Sequence, residues 1–216
     1  VLTNDEKDLG VCIVDIGGGT TDIAVYTNGA LRHCAVIPVA GNQVTSDIAK
    51  IFRTPLTHAE QIKVQFASAR SSTVSREDSI EVPSVGGRPS RSMSRHTLAE
   101  VVEPRYQELF ELVLKQLQDS GLEDQIAAGI VLTGGTSSIS GAVDIAEATF
   151  GMPVRVASPL PVKGLYEYVD QPIYSTGIGL LHYGARRVIE RQFERPERQG
   201  VTSFLNRVKS WFKGEF

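Results

Sequence analysis

Cysteine is scarce. Cys12 and Cys34 are the only two in 216 residues, and Cys12 lies inside an apolar run. That is too few for a disulfide framework, and reduced, cytosolic residence is the expectation. His33, His58, His96 and His182 lie far apart, and none stands near a cysteine at metal-ligand spacing, so no metal site is expected of them. An excess of one charge is also missing. With a net charge of −3 the chain has no global field to draw in nucleic acid, and partners must be attracted by local patches. No apolar run reaches the about 20 residues that span a bilayer, and no signal-peptide pattern opens the chain. An initiator methionine is absent as well, since the chain begins at Val1. Together with the early first strand, this gives the expectation of a piece cut from something longer. Hydrophobic content of 41% and charged content of 22% are those of a folded chain, enough for one large domain or two small ones.

The order of elements is readable from periodicity. Residues 10–16 (GVCIVDI) form a β-branched apolar run that stops at three glycines, which predicts a buried strand entering a tight turn. Residues 22–26 read as its antiparallel return, Asn28-Gly29 as a hairpin turn, and residues 30–39 as a third strand. Helical spacing of Val44, Ile48, Ile51 and Phe52 follows, and Pro55 ends that helix. Thr57 and Glu60 have the spacing of a capping box for a second helix. Residues 68–95 are polar and broken by Ser, Gly, Pro and Arg, with a strand expected over 79–85. Thr97 and Glu100 suggest another capping box, opening a long helix in which Pro104 predicts a kink or two abutting helices. A buried strand over 128–132, a helix over 139–150, a strand over 154–157 and a helix over 174–188 complete the body. Residues 186–200 are dense in charge and read as a solvated linker.

Two glycine loops carry the candidate chemistry. In the first, Asp15, Gly17, Gly18, Gly19, Thr20, Thr21 and Asp22 join two strands. Consecutive glycines let backbone N–H groups turn toward a phosphate, and the threonines can add hydroxyl donors. Asp15 at the strand end suits a magnesium ion held through water. A plain glycine-rich hairpin is the competing reading. In the second loop, Thr133-Gly134-Gly135-Thr136 runs from a strand toward a helix whose free N–H groups would face a ligand. Neither loop has the G-x-x-x-x-G-K-[ST] or G-x-G-x-x-G pattern.

Taken together, a D-x-G-G-G-T-x-D hairpin and a later strand–T-G-G–helix resemble the superfamily of actin, sugar kinases and DnaK-type chaperones. There the first loop is the second phosphate loop and the other is the adenosine loop. Residues 59–63 (AEQIK) resemble a segment whose Glu and Lys face the nucleoside, which here are Glu60 and Lys63. Residues 42–50 and 174–181 (YSTGIGLL) resemble helices of the same half-domain. Residues 83–89 (PSVGGRP), 98–106 (LAEVVEPRY) and 127–135 (AAGIVLTGG) are similar to the FtsA family of bacterial cell-division proteins, and the likeness covers nearly the whole chain.

The resemblance implies an α/β, actin-like (ribonuclease H-like) half-domain with an inserted small α+β subdomain and a C-terminal amphipathic helix. Residues 1–44 and 105–185 would be subdomain 2A, 45–104 subdomain 2B, 186–200 a charged linker, and 201–216 a membrane-targeting helix. It implies ATP and Mg2+ as cofactors and self-assembly into an actin-like filament. It also implies attachment of FtsZ filaments to the cytoplasmic face of the inner membrane at the division septum, and recruitment of later division proteins. ATP hydrolysis would be weak at most in a longer parent. The half-domain that carries the first phosphate loop is missing, so the chain by itself is expected to be inactive. Resemblance also points to Arg88, Arg91, Arg95 and Arg105, with Tyr106 and Glu108, as contacts for the partly acidic FtsZ tail. A solvated face on which those arginines balance neighbouring glutamates remains open.

At roughly 100° per residue, Val201, Phe204, Leu205, Val208, Trp211, Phe212 and Phe216 share one arc of a helix, with Arg207, Lys209 and Lys213 outside it. That is the pattern of an in-plane interfacial helix, suited to anionic inner-membrane lipid. A terminal helix docked on its own core is the competing reading. At the level of the whole chain the alternatives are an ATP-consuming enzyme of the sugar-kinase type and a pilus-assembly protein of the PilM type.

Overall fold

A computed structural model describes residues 1–161 and 169–193. The expected charged linker lies partly, and the helix over 201–216 with its membrane-facing residues wholly, outside the described residues. Val1–Thr176 make one compact unit and Gly177–Phe216 a second.

The first unit is built on a five-stranded sheet. β1 (Val11–Ile16), β2 (Thr21–Thr27) and β3 (Ala30–Ile37) form an antiparallel meander, as the apolar runs predict. Asn28 and Gly29 both have positive φ, 51° and 74°, the backbone that a right-twisted two-residue hairpin requires. β6 (Ile130–Thr133) lies parallel to β1, and β7 (Val154–Val156) parallel to β6, giving the order β3-β2-β1-β6-β7. All four residues of β6 are buried, as befits a strand covered on both faces. Cys12 is fully buried in β1, and burial pushes its thiol up to about 12, so it serves as a small apolar filler.

The helices are α1 (Asn4–Leu9), α2 (Gly41–Ile51), α3 (Leu56–Phe66), α4 (Arg95–Asp119), α5 (Ala142–Phe150) and α6 (Ser175–Phe193). A single core joins Val14 and Ile16 of the sheet to Ile48 of α2, Ile62 of α3 and the buried face of α4, including Leu98, Val102, Leu109 and Val113. Phe110 of α4 stands edge-on to Phe150 of α5, ring centroids 5.6 Å apart.

Several local expectations are corrected. α3 starts at Leu56 after Pro55, whose fixed φ and extended ψ place it at the N-cap, so Thr57 falls inside the first turn and caps nothing. α4 starts at Arg95, directly after a strand, so Thr97 is likewise already helical. That helix runs its 25 residues through Pro104 as one element. The capping box that does form is Thr3 with Glu6, where each side chain accepts from the other's backbone N–H at 3.2 and 2.8 Å. The strand expected over 79–85 is shorter, β4 (Ser79–Val82), and it pairs with β5 (Arg91–Ser94), which the serine- and arginine-rich sequence concealed. Ile51, placed on an apolar helix face by spacing, is 57% exposed. Finally, α5 begins only at Ala142. Between it and the second glycine loop lies a 3₁₀ turn over Gly135–Ser138. The glycine pair therefore does not open an α-helix, and the free helical N–H groups expected there belong to a later segment.

Candidate functional site

The two glycine loops leave adjacent parallel strands at the same end of the sheet, because Asp15 of β1 stands opposite Thr133 of β6. Ligands of open α/β sheets commonly bind at these carboxyl ends. Here an open cleft of about 690 Å³ lies between the loops and α3. Of the residues singled out from sequence, Asp15, Gly17, Gly18, Glu60, Lys63, Gly134, Gly135 and Thr136 line it, and so does Tyr106, which the resemblance assigns to a peptide contact instead.

Gly134 is required at its place. Its φ is +85°, and a Cβ there would overlap the Asp15 carboxylate and the Ile16 carbonyl, backbone that cannot step aside. Gly41, first residue of α2, is equally constrained, because a Cβ would occupy the position of the Thr136 hydroxyl. Asp15 Oδ2 accepts a hydrogen bond from Thr176 Oγ1 at 2.6 Å. Gly134 N–H donates to the Pro172 carbonyl at 3.2 Å, which brings the turn over Pro172–Tyr174 to the rim of the cleft.

α3 supplies the charged wall. Lys63 Nζ is buried, donating to the Gly41 carbonyl at 3.2 Å and to Thr45 Oγ1 at 3.0 Å, and it pairs with Glu60 at 2.7 Å. Thr45 also hydrogen-bonds to Glu60. Burial works to raise the Glu60 carboxyl, but the hydrogen bonds from Lys63 and Thr45 and the Lys63 charge hold it below the usual carboxylate range. The Glu60 carboxyl thus stays ionised at neutral pH, held against Lys63 Nζ on the cleft wall.

Three expected site residues are not at the cleft. Thr21 is fully buried, its hydroxyl donating to the Val39 carbonyl at 2.8 Å, so it can offer nothing to a phosphate. Thr20 Oγ1 bonds to Asp22 at 3.1 Å on the exposed side of the hairpin. Gly19 is exposed and lines no part of the cleft. The sequence reading in turn missed Asn42, Val64, Ser138, Ile139, Gln171, Pro172, Ile173 and Thr176. Their only common signal is nearness to elements already assigned, namely α2, α3, the second loop and the start of α6.

The arginines share no single arrangement. Arg91 donates to the Phe52 carbonyl at the end of α2, and Arg95 to the Phe66 carbonyl at the end of α3, where a cation suits the helix dipole. Arg95 also pairs with Asp78 at 3.5 Å. Arg105 is held by Asp47 at 2.7 Å and by Glu108. Arg88 stands exposed in the β4–β5 connection. Tyr106 is corrected: it is 1% exposed and cannot be a surface contact for a peptide, because its ring packs against Phe110 and its hydroxyl donates to the Thr136 carbonyl.

No group of three metal-ligating side chains exists among the described residues. A single carboxylate at a strand end, Asp15, next to a glycine loop is the donor set that suits a magnesium ion bridged by water to phosphate.

The meander extended by parallel strands, with two glycine loops over one cleft, defines an actin-like protein. MreB5 of Spiroplasma citri bound to ADP superposes with a TM-score of 0.68 at 23% identity, over 90% of this chain and 58% of that one. A PilM–PilN type IV pilus biogenesis complex gives 0.61 at 18% identity over 84% and 47%, and a MamK mutant bound to AMPPNP gives 0.55 at 19% over 76% and 51%. At such identities the likeness concerns the fold alone. The family model described as cell division protein FtsA matches residues 12–179, and the chain belongs to the FtsA family. FtsA of Pseudomonas aeruginosa is 55% identical over the whole of this chain and 53% of its own length. FtsA of Escherichia coli K12 is 53% identical over all of this chain and 54% of that protein, and FtsA of Neisseria meningitidis 48% over all and 53%. The chain spans about half the length of the curated relatives it matches.

Proposed function

We propose that the chain supplies one wall of an ATP site in an actin-like cell-division scaffold. The observation that carries this reading is the convergence of both glycine loops and the Glu60–Lys63 pair on a single cleft. In it the loop over Gly17 and Gly18 faces the phosphates, Asp15 holds Mg2+ through water, and Gly134, Gly135 and Thr136 lie against the adenosine. The volume is of ligand size. Nucleotides in the names of the MreB5 and MamK structures support the same chemistry on this fold. The site uses binding and charge placement, and no side chain in it is offered as a catalytic base.

The division of labour follows the family: residues 1–44 and 105–185 as subdomain 2A, and 45–104 as subdomain 2B, which would receive the FtsZ tail. Of the proposed tail contacts, Arg88 is directly available. Arg91, Arg95, Arg105 and Glu108 would exchange existing bonds for new ones. Residues 201–216 would lie in the inner-membrane surface, tethering FtsZ filaments at the septum and helping to recruit later division proteins. Filament formation would multiply the weak hold of each helix.

A titration of the 15N-labelled chain with ATP, with and without Mg2+, tests the site. Saturable amide shifts are expected at Gly17, Gly18, Gly134 and Gly135, and Asp15→Asn should abolish the Mg2+-dependent part. Absence of saturable shifts at these glycines would remove the nucleotide reading.

A further inference from the structure

Outside the charged wall of the cleft lies a set of four hydrogen bonds that the nucleotide reading does not itself require. Tyr106, from the middle of α4, sends its hydroxyl to the Thr136 carbonyl at 2.7 Å. Thr136 Oγ1 in turn donates to the Gly17 carbonyl at 2.8 Å. The same carbonyl accepts from Gly41 N–H at 3.1 Å, and the Gly18 carbonyl accepts from Asn42 N–H at 2.7 Å. Both peptides of the first glycine loop therefore have their carbonyls tied toward α2 and the second loop.

A trans peptide is planar, with its N–H directed opposite to its C=O. Tying the Gly17 and Gly18 carbonyls inward thus turns the N–H groups of Gly18 and Gly19 the other way. Neither N–H has an acceptor among the described residues. Gly18 lines the cleft, and its free N–H, with no Cβ over it, is a donor for an anion there. The bond from Thr136 is matched by sequence at α2, where only glycine at position 41 leaves room for that hydroxyl. Tyr106 is 1% exposed, and burial together with the Glu60 charge raises its phenol above the ordinary range. It remains a protonated donor at every working pH.

We propose that Tyr106 and Thr136 are positioning residues for the phosphate loop, Tyr106 holding the Thr136 carbonyl and Thr136 holding the Gly17 carbonyl so that the Gly18 N–H group faces a nucleotide phosphate. This rests on the nucleotide reading of the cleft. It adds a residue of α4 to the site, and it links the second loop mechanically to the first.

The test compares Mg-ATP with adenosine, because the relay acts on the phosphate side of the ligand. Amide-shift titrations of the whole chain give both dissociation constants for wild type, Tyr106→Phe, Thr136→Val and Thr136→Ser. Loss of one oriented bond in the relay should weaken Mg-ATP roughly tenfold more than it weakens adenosine, the adenosine arm absorbing any contact that Thr136 itself makes with the nucleoside. Thr136→Ser, which keeps the donor, should bind like wild type. The Tyr106→Phe/Thr136→Val double variant should lose no more than the weaker-binding single, since both cut one chain of bonds. Equal losses for Mg-ATP and adenosine would show general damage and overturn the relay, as would unchanged Mg-ATP binding in both single variants. Should Tyr106→Phe not fold, Thr136→Val against Thr136→Ser decides by the same ratio. A wild type that binds neither ligand overturns the nucleotide reading, an outcome distinct from the others.

Discussion

Lys63 shows how much a single residue can organise. Its ammonium would be costly to bury alone, and it is accepted because a carbonyl, a hydroxyl and a carboxylate surround it. The partner carboxyl of Glu60 is held below its ordinary value of 4.5 in the folded chain. A group with a depressed folded value stabilises the fold above its unfolded value, and that stabilisation is lost as pH falls through the folded one. Urea unfolding of wild type should therefore weaken progressively on acidification below about pH 5. Glu60→Gln, which has no proton to gain there, should show a shallower decline over the same range. Identical slopes would mean that the Glu60–Lys63 pair is not formed in solution. The resemblance of residues 59–63 to a segment of the superfamily pointed to Glu60 and Lys63. It did not reveal that Thr45 completes the arrangement from another helix.

Elements are joined through α4. Over four successive positions, Glu103 accepts from Ser71 N–H at 2.9 Å, Arg105 pairs with Asp47 of α2, and Tyr106 reaches the second glycine loop. Pro104 lies among them and lacks the N–H a helix interior would use. The two arginines near the start of this helix end two others, Arg91 at α2 and Arg95 at α3. Such engagement bears on the FtsZ tail. Arg88 is exposed in the β4–β5 connection, whereas Arg105 already neutralises Asp47 and Glu108. In a titration with a labelled FtsZ tail peptide, Arg88→Glu should weaken binding roughly tenfold, the scale of a charge-assisted contact reversed. Arg105→Glu should weaken it less while lowering the unfolding midpoint, because it sets a third carboxylate against two. Undiminished affinity in both variants would leave these arginines as a solvated face.

At the scale of the whole molecule, the fold and the terminal segment answer to different physics. The body is a packed α/β unit whose sheet shares its main core with α2, α3, α4 and α5. No helix among the described residues is long and apolar enough to cross a membrane. The sequence of residues 201–216 has the pattern expected of an in-plane interfacial helix, Phe, Trp and Leu opposite polar side chains with flanking Arg and Lys, and the proposed attachment to a bilayer rests on that pattern. Deleting 201–216 should abolish co-sedimentation with vesicles containing anionic lipid, and raised salt should weaken the intact chain through screening of its basic residues. Lipid binding that survives the deletion would assign the membrane surface elsewhere or to none.

Much of this protein was settled by the sequence itself. Short apolar runs pointed to β1, β2 and β6, the Asn28-Gly29 pair to the hairpin, and the two glycine loops with their flanking segments to the family. These are local properties, in which a residue's role follows from its immediate neighbours. The tertiary structure alone decided which members of those loops face the cleft. Thr20 and Thr21 read alike in sequence, yet one hydroxyl ends at the surface and the other under Val39. Resemblance offers Tyr106 as a peptide contact, whereas packing turns it inward onto Thr136. The bond that ties the loops joins residues 119 apart, Thr136 and Gly17. No local pattern encodes such a pair, because it exists only once β1 and β6 lie side by side and α4 closes over them.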